Sequence, residues 1–313
     1  MTVRDQNEYE DLLAEWSNLE SGLGVLLSYP VHAQEFRFRI IQYDRWMQNL
    51  LLRNSDVALY MLFQLAGNSP VGYSAAHALV CSVLCQLLTQ ELGIGPAERG
   101  SLVHAALTMN VGMTHLQDVL ATQVERPSPR QQEQIQQHPS KGVQMLRTLG
   151  VQDETWLSIV ANHHEFSAGE VPFETAPSAV RLARIIRLVD RYAAMISPRL
   201  SRAGRTATES VRSVMASASP QTDPLGHALL RCVGLCPPGT FVRLESRELG
   251  IVVRRGEVAN QPYIAIVGSA EGELLDEPRL HDPATGPLQI ESAISAASVR
   301  AQLNHARVLR LAS

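Results

Sequence analysis

The sequence predicts a mainly α protein that ends in a small β module. Three observations carry this reading. Apolar residues recur at three and four positions through roughly the first 200 residues. Two capping boxes and several glycines and prolines divide that stretch into helices. Beyond residue 220 the pattern changes to short β-branched runs between turns. The expected organisation is an N-terminal helical segment over 1–70, a helical domain over 71–220 and a β-rich module with a tail over 221–313.

Each element has its own signal. Leu12, Leu13, Trp16, Leu19 and Leu23 mark a first amphipathic helix, with Gly22 and Gly24 as its expected end. Phe36, Ile40, Tyr43, Met47, Leu50 and Leu51 mark a second, and Asn54-Ser55 breaks it from a third over Asp56–Leu65. Ser74 to Leu92 is strongly apolar and stops at Gly93, a C-cap signal. Pro96 suits the first turn of the next helix, expected to run to about Asn110. Ser128-Pro129-Arg130-Gln131 and Thr206-Ala207-Thr208-Glu209 are capping boxes, with helices expected between them at about 129–148, 153–165 and 178–196. Gly169, Pro172 and Pro177 make Phe166–Pro177 a loop. Runs at Thr240–Leu244, Gly250–Arg254 and Pro262–Val267 predict three or four strands, and the tail from Ser298 to Leu311 fits either helix or strand.

Composition limits the function classes. The chain has 313 residues, long enough to bury a core without disulfides or structural metals. With 27 Lys+Arg against 31 Asp+Glu it lacks the basic balance of a nucleic-acid binder. The N-terminus carries no secretory signal, and no uncharged apolar run approaches the ~18–20 residues that span a bilayer. The expectation is a cytoplasmic protein with neither nucleic acid nor membrane as partner. Cys81/Cys85 and Cys232/Cys236 are each spaced C-x3-C. That places both thiols on one helix face, where buried free thiols are expected in preference to a metal or redox pair.

The candidate chemistry lies in histidines. His163-His164-Glu165 stands near a helix end, His138 precedes Pro139, and Asp190 interrupts the apolar stretch Ile185–Val189. A carboxylate on a buried helix needs a charged partner, donors or a metal. Histidines and a carboxylate from separate helices are ligands that zinc, iron or manganese would use. Arg187, at i−3, is an alternative partner for Asp190, and each lone histidine could equally be a hydrogen-bonded core residue.

The order of these residues adds more. His77 is followed by Met109-Asn110-Val111-Gly112-Met113, then His138-Pro139-x-x-Gly142, His163-His164-Glu165 and Leu188-Val189-Asp190-Arg191-Tyr192. This order resembles the HD-GYP branch of the HD phosphohydrolase superfamily, whose pattern runs H, HDIGK, HPxxG, HHExxDGxGYP, ADxYDAL and TSxRPYR. The resemblance covers roughly 73–215, and the β extension after Pro237-Pro238-Gly239 is similar to one that follows some HD-GYP domains. It implies an HD-domain helical bundle whose metals hydrolyse cyclic di-guanylate. His77, His138, His163, His164 and Asp190 then stand at ligand positions, with Asn110 a weaker candidate. Arg199 and Arg202 stand where guanidinium forks would meet substrate phosphates.

The departures fall on the chemistry. Met109-Asn110 replaces the defining His-Asp pair, and a neutral amide is a poor bridge between two cations. Met113 replaces the motif's lysine, Tyr73 replaces a glutamate associated with a third metal, and Ala168 replaces the loop's aspartate. Glu170-Val171-Pro172 stands where x-GYP is expected, one residue shorter. The cofactor expected is therefore none, or a single transition metal (Fe, Mn or Zn). The expected function is a catalytically impaired HD-GYP-like signalling protein that binds cyclic di-guanylate, another nucleotide or a signalling protein. The alternative is an active metal-dependent phosphodiesterase with a reduced metal site, and a third class is an interaction module with no ligand. Arg181, Arg184, Arg187 and Arg191 form a basic stripe on the Asp190 helix, readable either as a solvated face or as an anion-attracting patch.

Overall fold

The computed structural model describes residues 3–67, 69, 71–165, 171–201, 204–217, 224–257, 261–282, 289–294 and 303–311. The first half is built from α1 (Val3–Ser28), α2 (Phe36–Arg53), α3 (Ser55–Gly67), α4 (Tyr73–Glu91), α5 (Pro96–Thr108) and α6 (Thr114–Ala121). Then come α7 (Pro129–Thr148), α8 (Glu154–Asn162), α9 (Ser178–Ile196), α10 (Ala207–Ser217) and α11 (Leu225–Val233). Helix α4 is the axis of the bundle. Every residue from Ser74 to Thr89 is buried, and α1, α3, α5, α6, α9 and α11 all pack on it. A helix that is apolar all round is a buried one, which is what the Ser74–Leu92 composition implied.

Both capping boxes form. The Ser128 hydroxyl accepts from the Gln131 amide while the Gln131 side chain accepts from the Ser128 amide. Thr206 and Glu209 make the same reciprocal pair at the start of α10. The first helix departs from expectation. It does not end at Gly22 and Gly24 but runs through both to Ser28. The missing Cβ atoms admit neighbours instead: a Cβ on Gly22 would collide with the Tyr43 hydroxyl, and one on Gly24 with the Val71 side chain. These glycines are close-packing positions within a helix, and their helix cost is outweighed by the contacts they permit.

The C-terminal strands are β1 (Phe241–Leu244), β2 (Leu249–Arg254), β3 (Tyr263–Gly268), β4 (Leu274–His281) and β5 (Ile290–Ile294). They form one antiparallel sheet in the order β4-β3-β2-β1-β5. Sequence periodicity marked β1, β2 and β3. The additional pair are the edge strands, and their polar composition hid them: β4 carries Asp276, Glu277, Pro278 and Arg279, and β5 carries Glu291. Charge and proline on an edge discourage pairing with another chain.

The two sheet faces have different neighbours. Phe241, Leu249, Ile251, Val253, Ala265 and Val267 belong to the same buried cluster as the helices. Val242, Leu244, Val252, Ile264 and Ile266 form a second cluster with Cys236. Arg255, just after β2, ties the sheet to α3 and α11: its Nε meets Asp56 at 2.6 Å, Nη2 the Ser55 hydroxyl at 2.6 Å and Nη1 the Cys232 carbonyl at 2.7 Å. The chain then returns as α12 (His305–Arg310), which packs on α1 and binds Tyr60 through His305 at 2.7 Å.

Candidate metal centre

Helices α4, α7, α8 and α9 deliver the side chains. On α7, Pro139 has no amide hydrogen, so the carbonyl of Ile135 loses its i→i−4 donor. His138 Nδ1 takes that place and donates to Ile135 O at 2.5 Å. His163 follows the last residue of α8, where the final carbonyls have no intrahelical donor, and its Nδ1 donates to Val160 O at 2.7 Å. A carbonyl only accepts, so both Nδ1 atoms must carry the proton. Each neutral ring then turns a lone pair outward from Nε2.

Those two Nε2 atoms face each other at 3.0 Å, both rings being completely buried. Burial is the largest influence on them and lowers both, His138 to about 4 and His163 to about 3; His164 adds to the lowering and Asp190 opposes it. With neither ring protonated at neutral pH, two lone pairs confront each other with no hydrogen between them. A cation resolves that conflict, and histidines whose far nitrogens are fixed by carbonyls are arranged as metal ligands usually are. His164 is exposed at the mouth, its ring centre 4.1 Å from that of His163 and 5.1 Å from that of His138. The donor atoms of all three lie within 4.8 Å of one another.

Asp190 belongs to a second, adjoining group. Its Oδ1 accepts from His77 Nε2 at 2.9 Å. His77, expected to be secondary, is a direct partner, and its Nδ1 is buried with none among the described residues. Burial acts to raise the Asp190 carboxyl, but the hydrogen bond and charge of His77, with His163 and His164 nearby, outweigh it and hold the group at about 2. Cys81 completes this trio, its Sγ lying 3.6 Å from His77 Nε2. Sequence reading passed over Cys81 as a core thiol. Its spacing of four from His77 on one helix face was the available signal.

Residues 109–113 sit against the His138 helix. A Cβ on Gly112 would lie 2.5 Å from the His138 carbonyl and 2.9 Å from the Gly142 amide, so only glycine allows this approach. Met109 is an ordinary core residue, 1% exposed, and Asn110 is half-buried at the start of the turn over Val111–Met113. The Arg199 guanidinium lies 4.8 Å from the Tyr73 ring centre and donates to its hydroxyl at 3.1 Å, while Tyr73 stacks on His77. Arg202 and residues 166–170, with Ala168, Gly169 and Glu170, lie outside the described residues. The basic stripe is largely engaged: Arg181 pairs with Glu98 at 3.7 Å, and Arg184 and Arg187 donate to the carbonyls of Val171 and Glu165.

The role of Pro139 can be tested directly. Pro139→Ala returns an amide donor to Ile135 O and competes with His138 Nδ1. The folded protein should persist with transition-metal affinity weakened about 10-fold or more, the usual scale for losing such an anchor. Unchanged affinity by calorimetric titration would show that Pro139 does not set the ring.

A helical bundle with histidines and an aspartate converging from four helices defines a class of protein. The HD domain family matches residues 60–225, more than half of the chain, and the chain belongs to that family. It is 28% identical over 207 residues to the cyclic di-GMP phosphodiesterase PA4108 of Pseudomonas aeruginosa, an alignment covering 64% of this chain and 50% of that protein. The chain therefore spans about half the length of that curated relative. Among solved structures it is similar to Bd1817, an HDG"Y"P protein from Bdellovibrio bacteriovorus, with a TM-score of 0.49 and 18% identity over 72% of this chain and 70% of that one. Among the described residues, no helix is long and apolar enough to cross a membrane.

Proposed function

We propose that this chain is an HD-GYP-type signalling protein that binds cyclic di-GMP over a transition-metal pocket of His138, His163 and His164, with Asp190 beside it and with hydrolysis impaired. The observation that carries the reading is the apposed pair of Nε2 lone pairs, which suits a cation better than an empty core. A metal held there would supply charge for a phosphate and acidify a bound water. The chain's own contribution is weaker than the family pattern requires. Met109 is packed into the core and offers only a thioether, Asn110 offers no negative charge, and Met113 no positive one. Arg199, whose buried Nε has no partner among the described residues, and Arg202 are the phosphate contacts in this reading.

The test is binding measured beside turnover. With Mn or Fe supplied, the protein should bind cyclic di-GMP by calorimetry, bind it about 10-fold more weakly as Arg199→Ala, and hydrolyse it at no useful rate. Robust turnover that disappears in His163→Ala would establish the active phosphodiesterase instead. Neither binding nor turnover would leave an interaction module without this ligand.

A further inference from the structure

We propose that His77, Cys81 and Asp190 form a metal site of mixed nitrogen, sulfur and oxygen donors, separate from the three-histidine group and selective for zinc. The proposal rests on the reading that the pocket is a metal centre, but it concerns a donor, Cys81, that neither the family pattern nor that reading includes.

Three observations support it. The first is distance. Zinc lies roughly 2.0–2.1 Å from imidazole nitrogen and 2.3 Å from thiolate sulfur. Two such donors on a tetrahedral ion are then about 3.6 Å apart, and the Cys81 Sγ to His77 Nε2 separation is 3.6 Å. The His77–Asp190 contact is 2.9 Å, a hydrogen bond that an entering ion would replace and open by about half an ångström. The second is placement. His77 and Cys81 are neighbours on one face of α4, the most deeply buried helix, so their separation is fixed by helix geometry. Asp190 reaches them from α9 with its side chain 21% exposed, whereas His77 and Cys81 are fully buried.

The third is donor chemistry. Thiolate favours zinc over manganese, which prefers oxygen. Met109 and Asn110 supply neither an imidazole nor a carboxylate, and among the described residues the Cys81 thiol of α4 is the third strong donor grouped with His77 and Asp190. On binding, Cys81 would release its thiol proton to solvent and His77 would carry its ring proton on Nδ1 instead of Nε2, so that one metal–sulfur and one metal–nitrogen bond form with no change of oxidation state. Two protein ligands plus a thiolate leave an open coordination position, the arrangement of a zinc that binds a further ligand.

The experiment uses cobalt(II) as the probe on the full chain stripped of metal by a chelator. Cobalt should bind and produce the near-ultraviolet thiolate-to-cobalt charge-transfer band. Cys81→Ser should lose the band and weaken zinc binding by at least about 10-fold, while Cys85→Ser, the buried thiol one turn further on, should keep both. His163→Ala should keep the band, because it belongs to the other group. Cobalt bound without the band overturns the Cys81 assignment and leaves the three-histidine pocket standing. No cobalt bound at all overturns both. The band in the unmodified protein is informative even if a variant fails to fold.

Discussion

Replacing Met109 with His and Asn110 with Asp together should raise the bound transition metal by about one ion per chain and increase cyclic di-GMP hydrolysis by at least about 100-fold. The Gly112 contact holds this segment against the backbone of His138 and Gly142, which brings positions 109 and 110 near the helix that carries His138. The aspartate would add the bridging charge that an amide cannot, and charge stabilisation by a metal is worth several kcal/mol in the transition state, each 1.4 kcal/mol being tenfold in rate. Met109 is fully packed, so the histidine is introduced at the cost of some stability. Metal content by mass spectrometry and turnover by nucleotide chromatography check the result. A folded double variant with unchanged metal content would mean that 109 and 110 do not face the histidines.

Acidification should destabilise the metal-free protein strongly, over an unusual range. His138 and His163 are held neutral by burial, at about 4 and about 3 against an ordinary imidazole value near 6.5. The unfolded chain therefore binds more protons than the folded one between roughly pH 6.5 and 3, and stability rises with pH across that window. The contribution is fully present above pH ~6.5 and is lost progressively as pH falls to the folded values. Asp190 acts in the same direction at lower pH, its contribution present above about 3.8 and lost as pH falls through about 2. Urea unfolding after chelation should show a much lower midpoint at about pH 4 than at about pH 7. His163→Leu should flatten the dependence. Equal midpoints would mean that the two rings are not neutral partners in a buried contact.

Much of this molecule was legible because its signals are local. The helices at Pro129–Thr148 and Ser178–Ile196 follow from a capping box, a proline and a strong apolar period, all within a few residues of the ends they mark. Gly22 and Gly24 misled for the opposite reason. What they do depends on Tyr43 and Val71, whose positions only tertiary packing reveals. The edge strands were hidden by charges that serve the sheet rim. At the site, the motif order picked out the helices that carry His77, His138 and Asp190 and the turn that carries His163, but no sequence pattern separates the two trios or shows that His77 binds Asp190. Cys81 reads from sequence as a buried free thiol beside Cys85, and its contact with His77 one turn earlier, at 3.6 Å, is what the fold adds. The stripe of arginines is readable from sequence as a solvated face or an anion-attracting patch, and its contacts with Glu98, Val171 and Glu165 are tertiary.

The return of α12 onto α1 has a consequence for modularity. The sheet is fastened on its way in by α11 and Arg255 and on its way out by His305 at Tyr60 and by Val308 and Leu309, which sit in the same buried cluster as Trp16 and Leu19. Deleting the segment after Cys236 would strip the lid from the α1–α3 layer as well as removing strands. An element bound in this way cannot be exchanged as a cassette between proteins. It has to change in step with the N-terminal helices, so substitutions at the α1–α12 seam should accumulate in compensating pairs.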